Sequence, residues 1–146
     1  MKLYLMRHGQ AASKQEDPQE GLTVTGRTDI QALALQLANK NIQFGQIFHS
    51  TKTRARQTAE IIAQVLAPTI AIQEKTGLKP NDDPRLLIPE ISSWQDDTLL
   101  TSHLPFVPTL LALLVGETSG ISFVPGTIVC LSKNAHTWKL EWSRSP

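Results

Sequence analysis

Residues suited to chemistry first gather at Arg7-His8-Gly9, directly after the apolar run Leu3-Tyr4-Leu5-Met6. A strand that stops on a cation, an imidazole and a glycine puts polar groups where ligands of open sheets bind, beyond the strand's carboxyl end. Two later positions carry matching chemistry. Arg54 lies about one turn into a helix expected to begin near Ser50, and His103 follows an apolar stretch ending at Ser102. Together these groups suit a phosphoryl group. The helix start favours an anion through its unpaired N–H groups and dipole, and Arg7 and Arg54 offer planar donor forks to phosphate oxygens. A neutral His8 can attack phosphorus and carry the phosphoryl group covalently, splitting one hard step into two. That role needs one ring nitrogen free and the other fixed by a hydrogen bond, for which a backbone carbonyl suffices. Gly9 allows the backbone to pack against the ring or to take a positive φ. His103 supplies a second donor where negative charge builds in the transition state.

The elements that must position these residues can be read from periodicity. Residues 1–6 form a first strand, and the polar stretch 10–21 (QAASKQEDPQEG) forms a surface loop beginning beside His8. A helix follows, capped by Thr23 or Thr25, with Ile30, Leu33, Ala34 and Leu37 at helical spacing. Residues 46–50 read as a second strand, and a helix from Ser50 with an apolar face through Ala55, Ala59 and Ile62 is stopped by Pro68. Residues 69–73 alternate as a third strand, and residues 77–84 (GLKPNDDP) are turn chemistry. A weaker helix over 85–94 is interrupted by Pro89. A buried strand over 97–102 and a helix over 104–115, with Pro105 near its first turn, come next. Strands at 126–132 and 137–142 close the chain as a hairpin through 133–136. Trp138 and Trp142, four apart, fall on one face of the last strand. Cys130 reads as a small core residue, and no chemistry is assigned from Thr118 onward.

Alternating strands and helices argue a mostly parallel sheet with helices on both faces, and the length fits a single domain over 1–146. Three strand ends then deliver Arg7-His8, Ser50 to Arg54, and His103 to one rim. A formal net charge of +1 gives no field that suggests nucleic acid or a membrane surface. One cysteine forms no internal disulfide, which suits a reducing cytoplasm. The apolar run 104–115 is too short to span a bilayer. The histidines His8, His49, His103 and His136 lack HxH or HExxH spacing, and neither a GxxxxGK[ST] nor a GxGxxG motif occurs, so no metal or nucleotide site is expected. Nothing in the sequence requires more than a monomer.

Leu5-Met6-Arg7-His8-Gly9-Gln10-Ala11 resembles the RHGxA signature of the histidine phosphatase (phosphoglycerate mutase-like) superfamily. Leu22-Thr23-x-x-Gly26 resembles its LTxxG element, Ser50-x-x-x-Arg54-Ala55-x-Gln57-Thr58-Ala59 its SxxxRAxQTA element, and Ser102-His103-Leu104-Pro105 its (G/S)HxP element. The four run in the family's order from residue 1 to about 115. The short length, Leu78-Lys79-Pro80, Asp82-Asp83-Pro84 and the chain's ending are similar to the small SixA-type phosphohistidine phosphatases. The resemblance implies a three-layer α/β/α sandwich, His8 as phosphorylated nucleophile, and Arg7, Arg54 and His103 completing the phosphate pocket, with no metal or organic cofactor.

Gln10, Thr23 and Ser50 flank signature positions and are expected to line the pocket, although Ser50 also serves as a cap for the Arg54 helix. Larger family members place a glutamate in mid-chain as proton donor. Here Glu74 falls too early and Glu90 too late, leaving Asp82 and Asp83 as possible acids, beside their plainer role in a turn before Pro84. An alkoxide leaving group needs that proton, worth roughly 10²–10⁴-fold, whereas protonated phosphohistidine leaves as neutral imidazole. The expected activity is therefore a metal-independent, cytoplasmic phosphohistidine phosphatase, acting on a phosphorylated protein histidine, with a small phosphorylated molecule as the other substrate class. The alternatives are a phosphomonoesterase or mutase with an aspartate acid, and a phosphate-binding pseudophosphatase module.

Overall fold

A computed structural model describes residues 1–117 and 120–146; Thr118 and Ser119, where the stretch without assigned chemistry begins, lie outside the described residues. The elements run in the order β1 (Lys2–Arg7), α1 (Val24–Leu37), β2 (Gln46–His49), α2 (Thr53–Leu66), β3 (Ile72–Glu74), α3 (Ile88–Ser93), β4 (Thr98–Ser102), α4 (Phe106–Val115), β5 (Ile128–Asn134) and β6 (Thr137–Arg144). The strands form one sheet in the order β3-β2-β4-β1-β5-β6. The first four in that order run parallel, and β5 and β6 form an antiparallel hairpin against β1. This mixed sheet between helices is the phosphoglycerate mutase-like α/β architecture.

The pleat decides the layers. Along β1, Tyr4 and Met6 pack into a core with α1 and α2, while Leu3 and Leu5 pack into a second core with α4 and α3. The apolar spacing of α1 supplies Ile30, Leu33, Ala34 and Leu37 to the first core, each nearly or fully buried. Among the described residues no helix is long and apolar enough to cross a membrane.

Several boundaries differ from the sequence reading. The third strand occupies Ile72–Glu74 rather than 69–73, because Pro68 and the Ile70 N–H to Ala67 O bond hold the chain in a turn first. Pro89 lies in the first turn of α3, following a 3-10 turn at Pro84–Leu86, so it starts a helix instead of interrupting one. Pro105 is the N-cap of α4 and Pro108 falls in its first turn. The two C-terminal tryptophans lie on opposite faces: Trp142 packs into the Tyr4 core and Trp138 into the Leu3 core. The register steps from Cys130↔Trp142 to Leu131↔Leu140, which leaves one extra residue in β6. That bulge reverses the alternation that a spacing of four assumes.

Candidate active site

Strand order brings the three chemical segments together. β4 pairs with β1 on one side and β2 on the other, so His8, His103 and the β2–α2 turn leave neighbouring strands at the same edge. The His8 N–H donates to Ser102 O at 3.0 Å and the Ser50 N–H to Thr101 O at 3.2 Å, continuing the parallel pairing into the loops. The rings of His8 and His103 lie 5.1 Å apart, centre to centre.

His8 is buried, and its ring is fixed at both nitrogens. Nδ1 is 2.7 Å from the carbonyl of Gly9, which can only accept, so Nδ1 carries the proton. Nε2 therefore presents its lone pair, and Arg54 Nε donates to it at 3.3 Å. Burial, with the positive charges of Arg54 and Arg7, pushes this imidazole down to about 4 against the opposing pull of the Gly9 carbonyl bond. It is neutral at physiological pH, the form a nucleophile requires.

Gly9 is required for packing rather than for its φ. A Cβ there would approach Ile30 Cγ1 to 2.8 Å. Its N–H donates to Thr58 Oγ1 at 3.0 Å, and that hydroxyl donates in turn to Arg54 O at 2.8 Å. Thr58 thus ties the loop after His8 to the backbone of Arg54, whose side chain faces the His8 ring. Arg54 is the second residue of α2, at the end where the helix dipole is positive.

Arg7 is held from behind. Its Nη1 donates to Phe123 O at 2.7 Å, while its Nε is buried with no partner. The Gly126 N–H lies 2.9 Å from His8 O and 3.2 Å from Arg7 O, and the Arg7 N–H donates to Thr127 O. The segment before β5 therefore clasps the Arg-His corner. No chemistry was assigned to this stretch from sequence; the one signal there was Gly126, whose φ of 86° a glycine tolerates.

His103 is 2% exposed, with Nε2 at 2.6 Å from Ser50 Oγ and Nδ1 buried without a partner. Burial first, then His8 and the charges of Arg54, Lys52 and Arg7, push it down to about 3. Ser50 is fully buried behind this ring. It is not the helix cap expected from sequence, since the N-cap of α2 is Lys52, although Ser50 Oγ accepts the Lys52 N–H at 3.3 Å.

Thr23 caps α1 by accepting the Gly26 N–H at 2.9 Å, and it donates its hydroxyl to Gln10 Oε1 at 2.7 Å. The two residues thus form one unit beside Gly9. Gly26 is needed because a Cβ would collide with Gln10 O. Gln57 accepts the Leu22 N–H at 2.7 Å, which gives the glutamine of the second motif a scaffolding job that spacing did not suggest. The loop 10–21 closes on itself through an Ala11–Leu22 bridge and an Ala12 N–H to Gly21 O bond.

The acidic candidates are engaged locally. Asp83 caps the 3-10 turn and pairs with Arg85, which holds its carboxyl below the usual range. Asp82 accepts the Lys79 N–H at 2.8 Å. Glu90 pairs with Lys75. The loop itself is fastened to the site, because Ser102 Oγ donates to Leu78 O at 2.6 Å. Among the described residues no group of three or more His, Cys, Asp or Glu could hold a metal ion.

The buried neutral rings of His8 and His103 make stability pH-dependent. Both fold with their ring below the ordinary 6.5. As pH falls beneath 6.5 the unfolded chain takes up protons that the native chain refuses, so stability drops until pH passes about 4 for His8 and about 3 for His103. The slope is roughly 1.4 kcal/mol per pH unit for each group. Urea midpoints should fall between about pH 6.5 and about pH 4, and less steeply in His103→Asn. An unchanged slope in that variant would rule out His103 as one of its sources.

In this phosphoglycerate mutase-like fold an Arg-His corner, a facing arginine at a helix start and a second histidine across from it meet at one strand edge. The family model of the histidine phosphatase superfamily, branch 1, matches residues 3–80, and the chain belongs to that superfamily. It is 34% identical over 93 residues (64% of this chain) to the mitochondrial serine/threonine-protein phosphatase Pgam5 of Caenorhabditis briggsae. It is 33% identical over 99 residues (65% of this chain) to an uncharacterized protein of Picosynechococcus. The chain spans 32% and 59% of the length of those two curated relatives. Among solved structures, the protein histidine phosphatase SixA complexed with tungstate superposes with a TM-score of 0.89 at 24% identity, covering 99% of this chain and 97% of that one. A phosphoserine phosphatase from Entamoeba histolytica in complex with 3-phosphoglyceric acid gives 0.76 at 17% identity, covering 99% and 97%.

Proposed function

We propose that this chain is a metal-independent phosphohistidine phosphatase working through a phospho-His8 intermediate. The observation that carries the reading is the His8 ring, with Nδ1–H held by the Gly9 carbonyl and the Nε2 lone pair turned toward Arg54, whose long 3.3 Å bond an incoming phosphoryl group displaces. Nε2 attacks phosphorus, forming a P–N bond as the bond to the leaving group breaks. Arg7, Arg54 and His103 hold the phosphoryl oxygens while charge builds on them. Water then attacks phospho-His8, its new O–P bond replacing the P–Nε2 bond, whose electron pair returns to Nε2 while the water's proton leaves on the released inorganic phosphate. Gln10 and Thr23 form the pocket's near wall. The work is done in the cytoplasm by one domain over residues 1–146.

Substrate class follows from the leaving group. Asp83 pairs with Arg85, which holds its carboxyl below the usual range and so disfavours the protonated form that a donor needs. Protonated phosphohistidine departs as neutral imidazole and needs no such donor, whereas an alkoxide does. A phosphohistidine displayed on another protein is therefore the favoured substrate, in keeping with the likeness to SixA. The second reading is a phosphomonoesterase of small esters. Asp82 favours it, lying in a loop tied to Ser102, next to His103.

The discriminating experiment compares turnover of a phosphohistidine peptide with that of phosphoserine and 3-phosphoglycerate. The expected result is a preference for the peptide of at least about 10²-fold, the scale of general acid help an ester lacks here. Efficient ester turnover that disappears in Asp82→Asn would replace this reading with the second. Turnover of neither class, with phosphate still bound, would leave a binding module.

A further inference from the structure

Ser50 is buried completely, and its hydroxyl has two partners. It accepts the Lys52 N–H at 3.3 Å and meets His103 Nε2 at 2.6 Å. A hydroxyl donates once. The second lone pair of Ser50 Oγ could accept from Nε2–H, but the buried hydroxyl hydrogen would then be left unpaired; donating that hydrogen to His103 Nε2 satisfies it and makes Nε2 the ring's acceptor nitrogen. The proton of the neutral ring consequently resides on Nδ1. That nitrogen is buried and has no partner in the protein. Leaving a buried N–H unpaired is costly, so such groups call for an explanation, and here the ring lies 5.1 Å from that of the proposed nucleophile.

We infer that Ser50 is a positioning residue that fixes the tautomer of His103, holding its Nδ1–H in reserve as a donor to the substrate's phosphoryl oxygens. Ser50 needs no contact with substrate for this. Its hydroxyl decides which nitrogen carries the proton and which way the ring faces, as outer partners do for functional imidazoles generally. In the opposite tautomer Nδ1 would present a lone pair, and a lone pair repels a phosphoryl oxygen. The serine at the head of the Ser50 to Arg54 segment thus serves the histidine of a different strand. The tautomer assignment stands on the hydrogen bonds alone, and its catalytic consequence rests on the phosphatase reading above.

The test has two arms. Ring ¹⁵N spectra of the full chain, with His103→Asn used to assign the signals, should show His103 protonated at Nδ1 and bare at Nε2 in the wild type, and a mixed or reversed population in Ser50→Ala. Kinetically, Ser50→Ala should lower kcat for the phosphohistidine peptide by about 10- to 100-fold. In a His103→Ala background the same substitution should change kcat by less than about twofold, because the two residues act as a unit. A wild-type ring protonated at Nε2 overturns the inference even if Ser50→Ala fails to fold. An effect of Ser50→Ala that persists undiminished in the His103→Ala background also overturns it. A wild-type chain inert toward every phosphodonor, yet with the Nδ1-protonated ring that Ser50→Ala abolishes, would sink the phosphatase reading and leave the tautomer lock standing.

Discussion

His8→Ala should abolish acid-labile labelling of the protein by a phosphodonor and lower turnover on the order of 10⁴- to 10⁶-fold, the range seen when a covalent nucleophile is lost. The size follows from what the ring does and from what survives it. With the imidazole gone, the Nε2 lone pair is lost and Arg54 Nε loses the acceptor it is directed at. The rest of the pocket persists: Arg7 keeps its bond to Phe123 O, and His103 keeps Ser50. Inorganic phosphate should accordingly still bind to His8→Ala while kcat collapses, separating capture of the anion from reaction with it. Removing the ring frees Arg54 Nε from its acceptor but takes away no backbone bond that holds β1 to its neighbours, and circular dichroism should show a folded chain. Label retained at full stoichiometry in His8→Ala would place the nucleophile elsewhere.

Arg54→Ala should cost about 10²- to 10³-fold in kcat, the scale of a lost oxyanion donor, and should weaken phosphate binding as well. A second signature distinguishes this site from a surface arginine. The Arg54 charge helps to keep His8 unprotonated. Without it His8 takes up a proton more readily, so the acid limb of the pH–rate profile should move to higher pH. Arg54→Lys restores the charge but not the planar fork, and should recover the pH profile better than it recovers kcat. A profile unmoved in Arg54→Ala would separate Arg54 from His8.

What the sequence disclosed and what it concealed divide along physical lines. His8, Arg54 and His103 could be read because each follows an apolar strand or opens a helix, and parallel topology sends such points to one edge. For Gly9 the sequence left close packing and a positive φ both open, and only the fold decides for packing, against Ile30. The partnership of Ser50 with His103 was not legible, since it spans 53 positions and joins two strands whose adjacency no local pattern encodes. The clasp on Arg7 escaped for the same reason and for another: it is made by backbone carbonyls and N–H groups, which leave little trace in residue identity. The faces of Trp138 and Trp142 were misjudged because a bulge breaks the period of two on which strand reading depends. The aspartates of the 77–84 stretch turned out to hold a turn, as their neighbour Pro84 suggests.

The clasp sets an order of events during synthesis. Phe123 follows Arg7 by 116 positions, and β1, the first strand made, ends up between β4 and β5, both made late. A nascent chain therefore carries the Arg-His corner with neither neighbouring strand nor backing loop until β4, the Phe123 segment and β5 follow. Contacts this distant in sequence form slowly and late. The surroundings of the His8 imidazole are consequently completed only after Phe123, Gly126 and Thr127 have been made. A stalled or clipped product ending before residue 123 would carry an intact signature motif and an unformed site.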